Sequence, residues 1–308
     1  MKMISIVVPV FNEAHNLLVL IESLQAVFKQ MSQYQVEYIF INDGSYDDSW
    51  HILRQFSNAN ESIKAINLSR NFGHQIALSA GYDVAMGSAI ISMDADMQDS
   101  PEIIIEMLKA WEQGIQIVYA RRIDRNDSFF KKITAQLYYK FLEYIADVSI
   151  PRDVGDFRLI DKKVLEALKH CREKSRYLRG MVAWTGYKCA FVDFKRPNRY
   201  AGITSYTWKK MIKLACDGVT SFSLFPLKIA AFMGLFVVIT GILMFLYITI
   251  DALFFHVHYP LFKWLVTTIY IFMGVQFLLL WLIGEYIGRI FEEQKGRPLY
   301  IISEKINF

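Results

Sequence analysis

Cysteine is scarce in this sequence, and so is net charge. Cys171, Cys189 and Cys216 are odd in number, widely spaced and outside any C-x-x-C pattern, so we exclude a disulfide scaffold and expect reduced thiols. Only 16 glycines and 7 prolines occur among 308 residues, which excludes a collagen-like or low-complexity chain. A net charge of +4 gives no reason to expect a nucleic-acid partner.

Apolar residues make up 54% of the chain, which excludes disorder, and they are concentrated in its last third. Residues 229–250 and 264–284 carry no charge, and each run is long enough to cross a hydrocarbon layer of about 30 Å. The alternative is a pair of buried helices in a soluble core. Lys228 precedes the first run, and Arg289 and Lys295 follow the second. The positive-inside rule therefore predicts a multi-pass protein of the inner (plasma) membrane with both termini in the cytoplasm.

The chain is accordingly predicted to have four regions. They are a cytoplasmic domain over residues 1–203, an amphipathic juxtamembrane segment over 204–228, a two-helix transmembrane hairpin within 229–288 and a cytoplasmic tail over 289–308. The juxtamembrane segment mixes lysines with aromatic residues, which is typical of a helix in a membrane interface; an ordinary surface helix is the alternative. A G-x-x-x-G pattern from Gly284 to Gly288 hints at a homo-oligomer.

Short apolar runs alternate with segments of helical spacing in the first part of the chain. The runs are rich in Ile and Val and cover residues 4–10, 36–42, 63–68, 89–93 and 115–120. Between them, apolar residues recur on one helical face, as in Leu17, Leu20, Ile21 and Leu24, and again in Ile104, Met107, Leu108 and Trp111. Strict alternation of strand and helix predicts an α/β fold with a mostly parallel sheet and helices on both faces.

Polar residues follow the predicted strands at the points where they end. Asn12-Glu13, Asn42-Asp43 and Asp94-Ala95-Asp96 follow the first, second and fourth strands, and Arg121-Arg122 follows the fifth. Ligands of open parallel sheets bind beyond the carboxyl ends of the strands. The sequence therefore predicts one ligand site at this edge, with acidic and basic groups side by side.

The pair Asp94-x-Asp96 is the sharpest single feature. Two carboxylates in one turn offer hard oxygen ligands to Mg²⁺ or Mn²⁺, with phosphate oxygens in the remaining positions. The alternative is that they cap the helix that begins after Pro101. Asp99 and Ser100 are better placed for that cap, so we expect Asp94 and Asp96 to remain available for a metal ion.

Several strings resemble one enzyme family in its own order. They are IVVPVFNEAHN, FINDGSYDDS, NFGHQIALSAGYDVAMG, MDADMQDSPE, VGDFRLIDKKV and, after the second apolar run, GEYIGRIFEEQKGRPLYII. Together they resemble the polyprenyl-phosphate glycosyltransferases, inverting enzymes of the GT-A family 2 type. Dolichyl-phosphate mannosyltransferase and the bacterial bactoprenol glucosyltransferases belong to that group. The resemblance covers nearly the whole chain and implies a GT-A (Rossmann-like) fold.

The resemblance also implies roles for individual residues. The catalytic residues would be Asp156 and Asp96. The nucleotide would be held by Pro9, Phe11, Glu13, Asp43, Asp94, Ala95 and Gln98. A Mg²⁺ or Mn²⁺ ion would be held by Asp94, Asp96 and Gln98. The phosphates of the donor and of the lipid would be faced by Arg121, Arg122, Lys131, Lys132, Arg158, Arg199, Lys209 and Lys210.

One position departs from the family pattern R-x-A-G-x-[ST]-K. The chain has Ser205 where a lysine is expected. A serine hydroxyl cannot form an ion pair with a phosphate. Either Lys209 or Lys210 takes over the lipid phosphate, or the acceptor binds more weakly.

The implied reaction is inverting transfer of one hexose from a nucleotide sugar to undecaprenyl phosphate, with UDP-glucose as the expected donor. The acceptor phosphate is already ionised near neutral pH, so it needs little help from a general base. We therefore expect Asp156 to orient the sugar or to stabilise positive charge at its anomeric carbon. The alternatives are another donor (GDP-mannose, a UDP-N-acetylhexosamine or a UDP-aminopentose) and a silent membrane scaffold that binds sugar nucleotides.

Overall fold

The computed structural model describes residues 1–123, 151, 154–171, 173–174, 176–194 and 261–308, with isolated helical positions at 239, 243 and 250. The chain divides into two units. One comprises residues 1–218 and 297–308, and the other comprises residues 219–296.

The first unit is built on a sheet whose described strands number eight. They are β1 (Lys2–Val10), β2 (Tyr34–Asn42), β3 (Ile63–Leu68), β4 (Ala89–Ser92), β5 (Ile117–Arg122), β6 (Val154–Asp161), β7 (Cys189–Phe194) and β8 (Ile302–Ile306). Their order across the sheet is β7-β5-β6-β4-β1-β2-β3-β8. Strands β6 and β8 run against their neighbours, and the remaining pairs are parallel. The predicted α/β fold with a mostly parallel sheet is confirmed.

The described helices connect these strands. In the first unit they are α1 (Ala14–Lys29), α2 (Ser49–Ala59), α3 (His74–Val84), α4 (Ile103–Glu112), α5 (Lys162–His170) and α6 (Leu178–Trp184), and in the second unit α7 (Leu261–Gln294). The predicted apolar faces of α1 and α4 are buried.

Alternate side chains of β1 meet different helices, because successive residues of a strand point to opposite faces. Ile4, Ile6 and Val8 join the buried cluster that contains the apolar faces of α1 and α4. Val7 instead meets α3, where a Cβ atom at Gly81 would lie 2.3 Å from Val7 Cγ1. Helices therefore cover both faces, and glycine at position 81 allows α3 to approach the sheet closely.

Strand β8 is an element that the predicted C-terminal tail does not include. It pairs antiparallel with β3, and Ser69 N donates to Ile301 O over 2.9 Å. Asn307 Nδ2 donates to the backbone oxygens of Ser57 and Ile63 over 2.6 and 2.8 Å. The segment therefore covers an edge of the sheet that would otherwise present unpaired backbone groups.

The predicted transmembrane hairpin falls largely outside the described residues. Residues 204–228 and, apart from three isolated positions, the first apolar run lie there, whereas the second run lies within α7. In the part of the chain that the structure describes, none of the helices has the length and apolar character needed to cross a membrane. The hairpin is thus not found among the described residues.

Candidate active site

Two loops at the carboxyl edge of the sheet are held together by hydrogen bonds. Asn12, which follows β1, adopts a φ of 57°, a left-handed conformation that asparagine tolerates better than most residues. Its backbone N–H donates to Ser45 Oγ over 3.0 Å, and its side-chain oxygen accepts from Tyr46 N over 2.9 Å. Farther along, Ala14 N donates to Asp47 Oδ2 over 3.0 Å. The loops after β1 and β2 therefore form one joined surface.

Asp43 lies buried at the end of β2 and organises the loop that leads into α3. Its carboxylate accepts from Phe72 N over 2.7 Å and from Gly73 N over 2.9 Å. Burial raises the pKa of the Asp43 carboxyl, against the effect of these two donors and of nearby His74. Asp43 thus shapes the wall of the site through the 72–73 backbone.

The residues after β4 form a tight acidic turn. Met97 has a φ of 59°, and Gln98 N donates to Asp96 Oδ1 over 3.2 Å. Asp99 Oδ2 accepts from Asp94 N over 3.1 Å, so Asp99 closes the turn on itself. The prediction that Asp99 and Ser100 cap the next helix is wrong, because α4 begins after Glu102 without a side-chain cap.

Two carboxylate oxygens of the acidic turn receive no hydrogen bond. Asp94 Oδ1 and Asp99 Oδ1 are buried without a hydrogen-bond partner. Burial, together with the negative charges of Asp94 and Asp96, raises the pKa of Asp99 to about 7, although Arg122 acts in the opposite direction. Buried carboxylate oxygens without donors suit a hard divalent cation.

The described residues contain no group of three or more His, Cys, Asp or Glu side chains arranged to hold a metal ion. Mg²⁺ is commonly bound through only one or two carboxylates, with substrate phosphates and water completing its coordination. The chemistry of Asp94 and Asp96 fits that kind of site.

His74, the first residue of α3, bridges two of these acidic groups. Its Nε2 lies 3.5 Å from Asp94 Oδ1 and 3.3 Å from Asp156 Oδ2. Partial burial disfavours a charged ring, but the hydrogen bond to Asp156 and the charge of Asp94 raise the pKa of His74 to about 9. The imidazole is therefore a cation at neutral pH, placed between the acidic turn and Asp156.

Asp156, near the start of β6, is buried among donors from three elements. Oδ2 accepts from Gln75 Nε2 and from Arg179 Nη2, each over 3.1 Å. Oδ1 accepts from Arg158 Nη2 over 3.1 Å. Burial alone would raise the pKa of Asp156, but the charge of Arg179, the hydrogen bond from His74 and the charge of Arg158 hold it well below its usual range. This carboxylate stays ionised and is a weak proton acceptor.

The structure brings together the predicted residues at the carboxyl ends of β1, β2 and β4 and near the start of the antiparallel strand β6. Pro9 and Ala95 are buried there, Phe11 is exposed, and Glu13 N donates to Ser49 Oγ. Arg158 forms an ion pair with Asp156 and is fully buried, so its position differs from that of an exposed phosphate ligand.

The two predicted arginines at the end of β5 have different surroundings. Arg121 forms a two-pronged pair with Asp193 of β7, with Nε–Oδ1 2.6 Å and Nη2–Oδ2 3.0 Å. Arg122 packs over Gly155, where a Cβ atom would lie 3.1 Å from its Nη2, and its charge reaches Asp99. Arg122 is therefore close enough to the acidic turn for its charge to lower the pKa of Asp99, and Arg121 forms an ion pair with Asp193.

The remaining predicted phosphate ligands and Ser205 lie outside the described residues. The ligands are Lys131, Lys132, Arg199, Lys209 and Lys210.

The structure adds three residues that the sequence reasoning missed. Gln75 joins two elements, because its Nε2 donates to Asp156 while its Oε1 accepts from Leu178 N over 3.1 Å. His74 and Gln75 follow the end of β3 after a short loop, so the strand-end rule could have found them. Arg179 carries no such signal, since it lies within α6 and approaches Asp156 only through folding.

The sheet is mostly parallel, and an acidic turn follows β4 with an ionised aspartate beside it. This is the arrangement of a GT-A glycosyltransferase. The chain belongs to glycosyl transferase family 2, whose family model matches residues 5–169. It is 45% identical over 303 residues to the "Uncharacterized glycosyltransferase YkcC" of Bacillus subtilis (strain 168), covering 97% of this chain and 93% of the relative. The "Bactoprenol glucosyl transferase" of Shigella phage SfV is 38% identical over 303 residues, with 98% of each chain covered.

A solved structure supports the fold at greater distance. Mannosyl-3-phosphoglycerate synthase from Rubrobacter xylanophilus superposes with a TM-score of 0.50 at 15% identity, over 71% of this chain and 72% of that one. Membership of glycosyl transferase family 2 makes the protein a glycosyltransferase, as the family resemblance implies.

Proposed function

We propose that this glycosyltransferase transfers one glucose from UDP-glucose to undecaprenyl phosphate with inversion, so that the lipid-linked sugar can serve as a donor for surface-glycan modification. The observation that carries the proposal is the ionised Asp156 carboxylate beside the acidic turn, because an acceptor that is already an anion needs no strong base. The full-length similarity to the phage bactoprenol glucosyl transferase supports the choice of sugar and lipid.

The carboxyl edge of the sheet is long enough for a nucleotide sugar. From β2 to β6 there are three strand spacings, a span of about 14 Å at ~4.8 Å each. We place the nucleoside near Phe11 and Asp43, the diphosphate at the acidic turn and the hexose near Asp156. A Mg²⁺ or Mn²⁺ ion held by Asp94 and Asp96, with Gln98 as a further candidate ligand, would neutralise charge on the departing diphosphate.

In the transfer step, an oxygen of the lipid phosphate attacks the anomeric carbon from the face opposite the diphosphate. The new C–O bond forms while the bond to the diphosphate breaks, and UDP leaves with the bonding electrons. Asp156 would orient the sugar and stabilise the positive charge that develops on it. Arg179 and Gln75 would keep this carboxylate in one position, since both donate to Asp156.

We also propose that the protein works at the inner face of the plasma membrane, where a polyprenyl phosphate is accessible. The two charge-free runs at 229–250 and 264–284 support this placement. Helix α7 adds support because apolar side chains along it are exposed, including Leu280, Trp281 and Ile287. The lipid phosphate would meet Arg199 and either Lys209 or Lys210, and the Gly284–Gly288 pattern makes a homo-oligomer part of the proposal.

The test is transfer of radiolabelled sugar into a lipid extract by the full chain, purified in detergent and supplied with undecaprenyl phosphate and Mg²⁺ or Mn²⁺. We expect a lipid product with UDP-glucose and none with the Asp94→Asn variant. Glu304→Gln is the matched control, because Glu304 forms an exposed ion pair with Arg54 on the β8 edge. If product forms only from GDP-mannose or from another UDP-sugar, that nucleotide sugar replaces UDP-glucose as the donor. No product from any donor, with nucleotide binding intact, would favour a binding scaffold and overturn the proposal.

A further inference from the structure

Tyr46 is an exposed aromatic residue at the carboxyl edge that the proposed reaction leaves without a role. It follows β2 and is 87% exposed, whereas Phe11, which follows β1, is 37% exposed. The two rings meet edge to face, with centroids 6.1 Å apart and planes at 74°. They form an aromatic pair on the joined surface of the first two loops.

The backbone holds this aromatic pair in place. Tyr46 N donates to Asn12 Oδ1 over 2.9 Å, and Asn12 N donates to Ser45 Oγ over 3.0 Å. Asp47 extends the connection through Ala14 N, and its Oδ1 accepts from Ser49 N over 3.0 Å. A ring fixed at its backbone before ligand arrives loses less freedom on binding, so more of the contact energy is available for affinity.

The pair also lies at the right place along the edge. Phe11 directly follows β1, and β1 is the immediate neighbour of β4, the strand that leads into the acidic turn. One strand spacing of ~4.8 Å separates them. A ribose between the diphosphate and the base would carry the base from the acidic turn toward these rings.

We propose that Tyr46, together with Phe11, forms a stacking wall for the nucleobase of the donor. The proposal rests on the proposed function in that the ligand is the nucleoside diphosphate part of a sugar nucleotide. Every base offers an aromatic face, so this wall supplies affinity and does not itself choose between uracil and guanine. Tyr46 is therefore a binding residue for the base and has no part in the transfer chemistry.

The experiment measures binding of UDP and of inorganic pyrophosphate to the detergent-purified full chain by titration calorimetry with Mn²⁺ present. Tyr46→Ala should raise the Kd for UDP about tenfold, because base stacking on an aromatic ring contributes on this order. The Kd for pyrophosphate, which has no base, should stay unchanged. Tyr46→Phe should restore UDP binding. Tyr187→Ala is the matched control, since Tyr187 precedes β7 at the opposite end of the sheet and is also exposed.

Each outcome is decisive for the stacking wall. Wild-type affinity of Tyr46→Ala for UDP, or equal weakening of UDP and pyrophosphate, would overturn it. If the wild-type protein binds GDP and not UDP, the proposed donor is wrong. The comparison of wild type with Tyr46→Ala is then made with GDP, and it tests the stacking wall in the same way. If neither nucleotide binds, the wall and the donor both fail. A further outcome is a wild-type protein that binds UDP through its base and yet transfers no sugar. If Tyr46→Ala then loses the base-dependent part of binding, the stacking wall is supported and only the proposed transfer is overturned.

Discussion

Buried carboxylates near the amino ends of the strands and near their carboxyl ends have different surroundings. Toward the amino ends of the strands, Glu37 is 3% exposed and accepts from Ser5 Oγ, from Lys64 Nζ over 2.7 Å and from Met86 N over 2.8 Å. Burial would raise the pKa of Glu37, but hydrogen bonds from Lys64 and Ser5 lower it below its usual range. The charge of Glu37 is therefore fully compensated within the fold.

At the carboxyl end, the acidic turn is only partly compensated, although His74 Nε2 lies 3.5 Å from Asp94 Oδ1 and Arg122 lowers the pKa of Asp99. Asp94 and Asp99 each keep a buried oxygen without a hydrogen-bond partner, and the pKa of Asp99 is raised. Asp156 combines features of both. Its negative charge is balanced by nearby cations, as that of Glu37 is, but it lies beside His74 at the candidate site. Under the proposed function, Glu37 serves stability, the acidic turn would bind a ligand, and Asp156 would be held ionised for the substrate.

The largest expected effect is on catalysis by Asp156→Asn. Asparagine keeps the size of the side chain and removes its charge, so kcat should fall about 100-fold or more at every pH, with little change in the KM for the donor. Initial rates across a pH series measure this. A wild-type rate that climbs with pH as a carboxyl group titrates would contradict the charge role and indicate proton removal by Asp156.

The next effect should be on stability at the other end of the sheet. Glu37→Gln should lower the free energy of unfolding by about 2 kcal/mol, because Lys64 loses a charged partner in a buried position. Thermal unfolding measures the loss, and Glu304→Gln at the exposed pair with Arg54 should cost less than about 1 kcal/mol. Equal losses in the two variants would remove the distinction between them.

The same variant has a signature in acid. Since the folded-state pKa of Glu37 is lowered from 4.5, its stabilising contribution is complete above that value and is lost as the pH falls through the folded-state pKa. As the pH falls below 4.5, the wild type should therefore lose free energy of unfolding more steeply than Glu37→Gln.

The smallest expected effect is stabilisation by a divalent cation. Mn²⁺ at about 10 times its Kd should stabilise the wild type by about 1.4 kcal/mol, because it binds the folded acidic turn. Asp94→Asn should lose most of this gain, whereas Glu37→Gln should retain it. Thermal unfolding of each protein with and without Mn²⁺ makes the comparison. A shift that survives Asp94→Asn would place the ion elsewhere.

Local sequence patterns predict much of this structure. Short apolar runs rich in Ile and Val predict β1 to β5, and apolar residues spaced at about 3.6 positions predict the buried faces of α1 and α4, since burial acts on these patterns directly. The strand-end rule places Asp43, Asp94 and Asp96 at one edge, because parallel strands share the edge at which they end. For these features, short-range sequence patterns are enough to predict the structure.

The contacts between groups at that edge depend instead on how distant segments pack together. Insertion of β6 between β4 and β5 brings Asp156 next to His74, and packing of α6 brings Arg179 to the same carboxylate. The position of Arg122 and the pairing of β8 with β3 depend equally on distant partners. Such contacts join residues far apart in the chain, so their free energy depends on the assembled fold and leaves no periodic signal in the sequence.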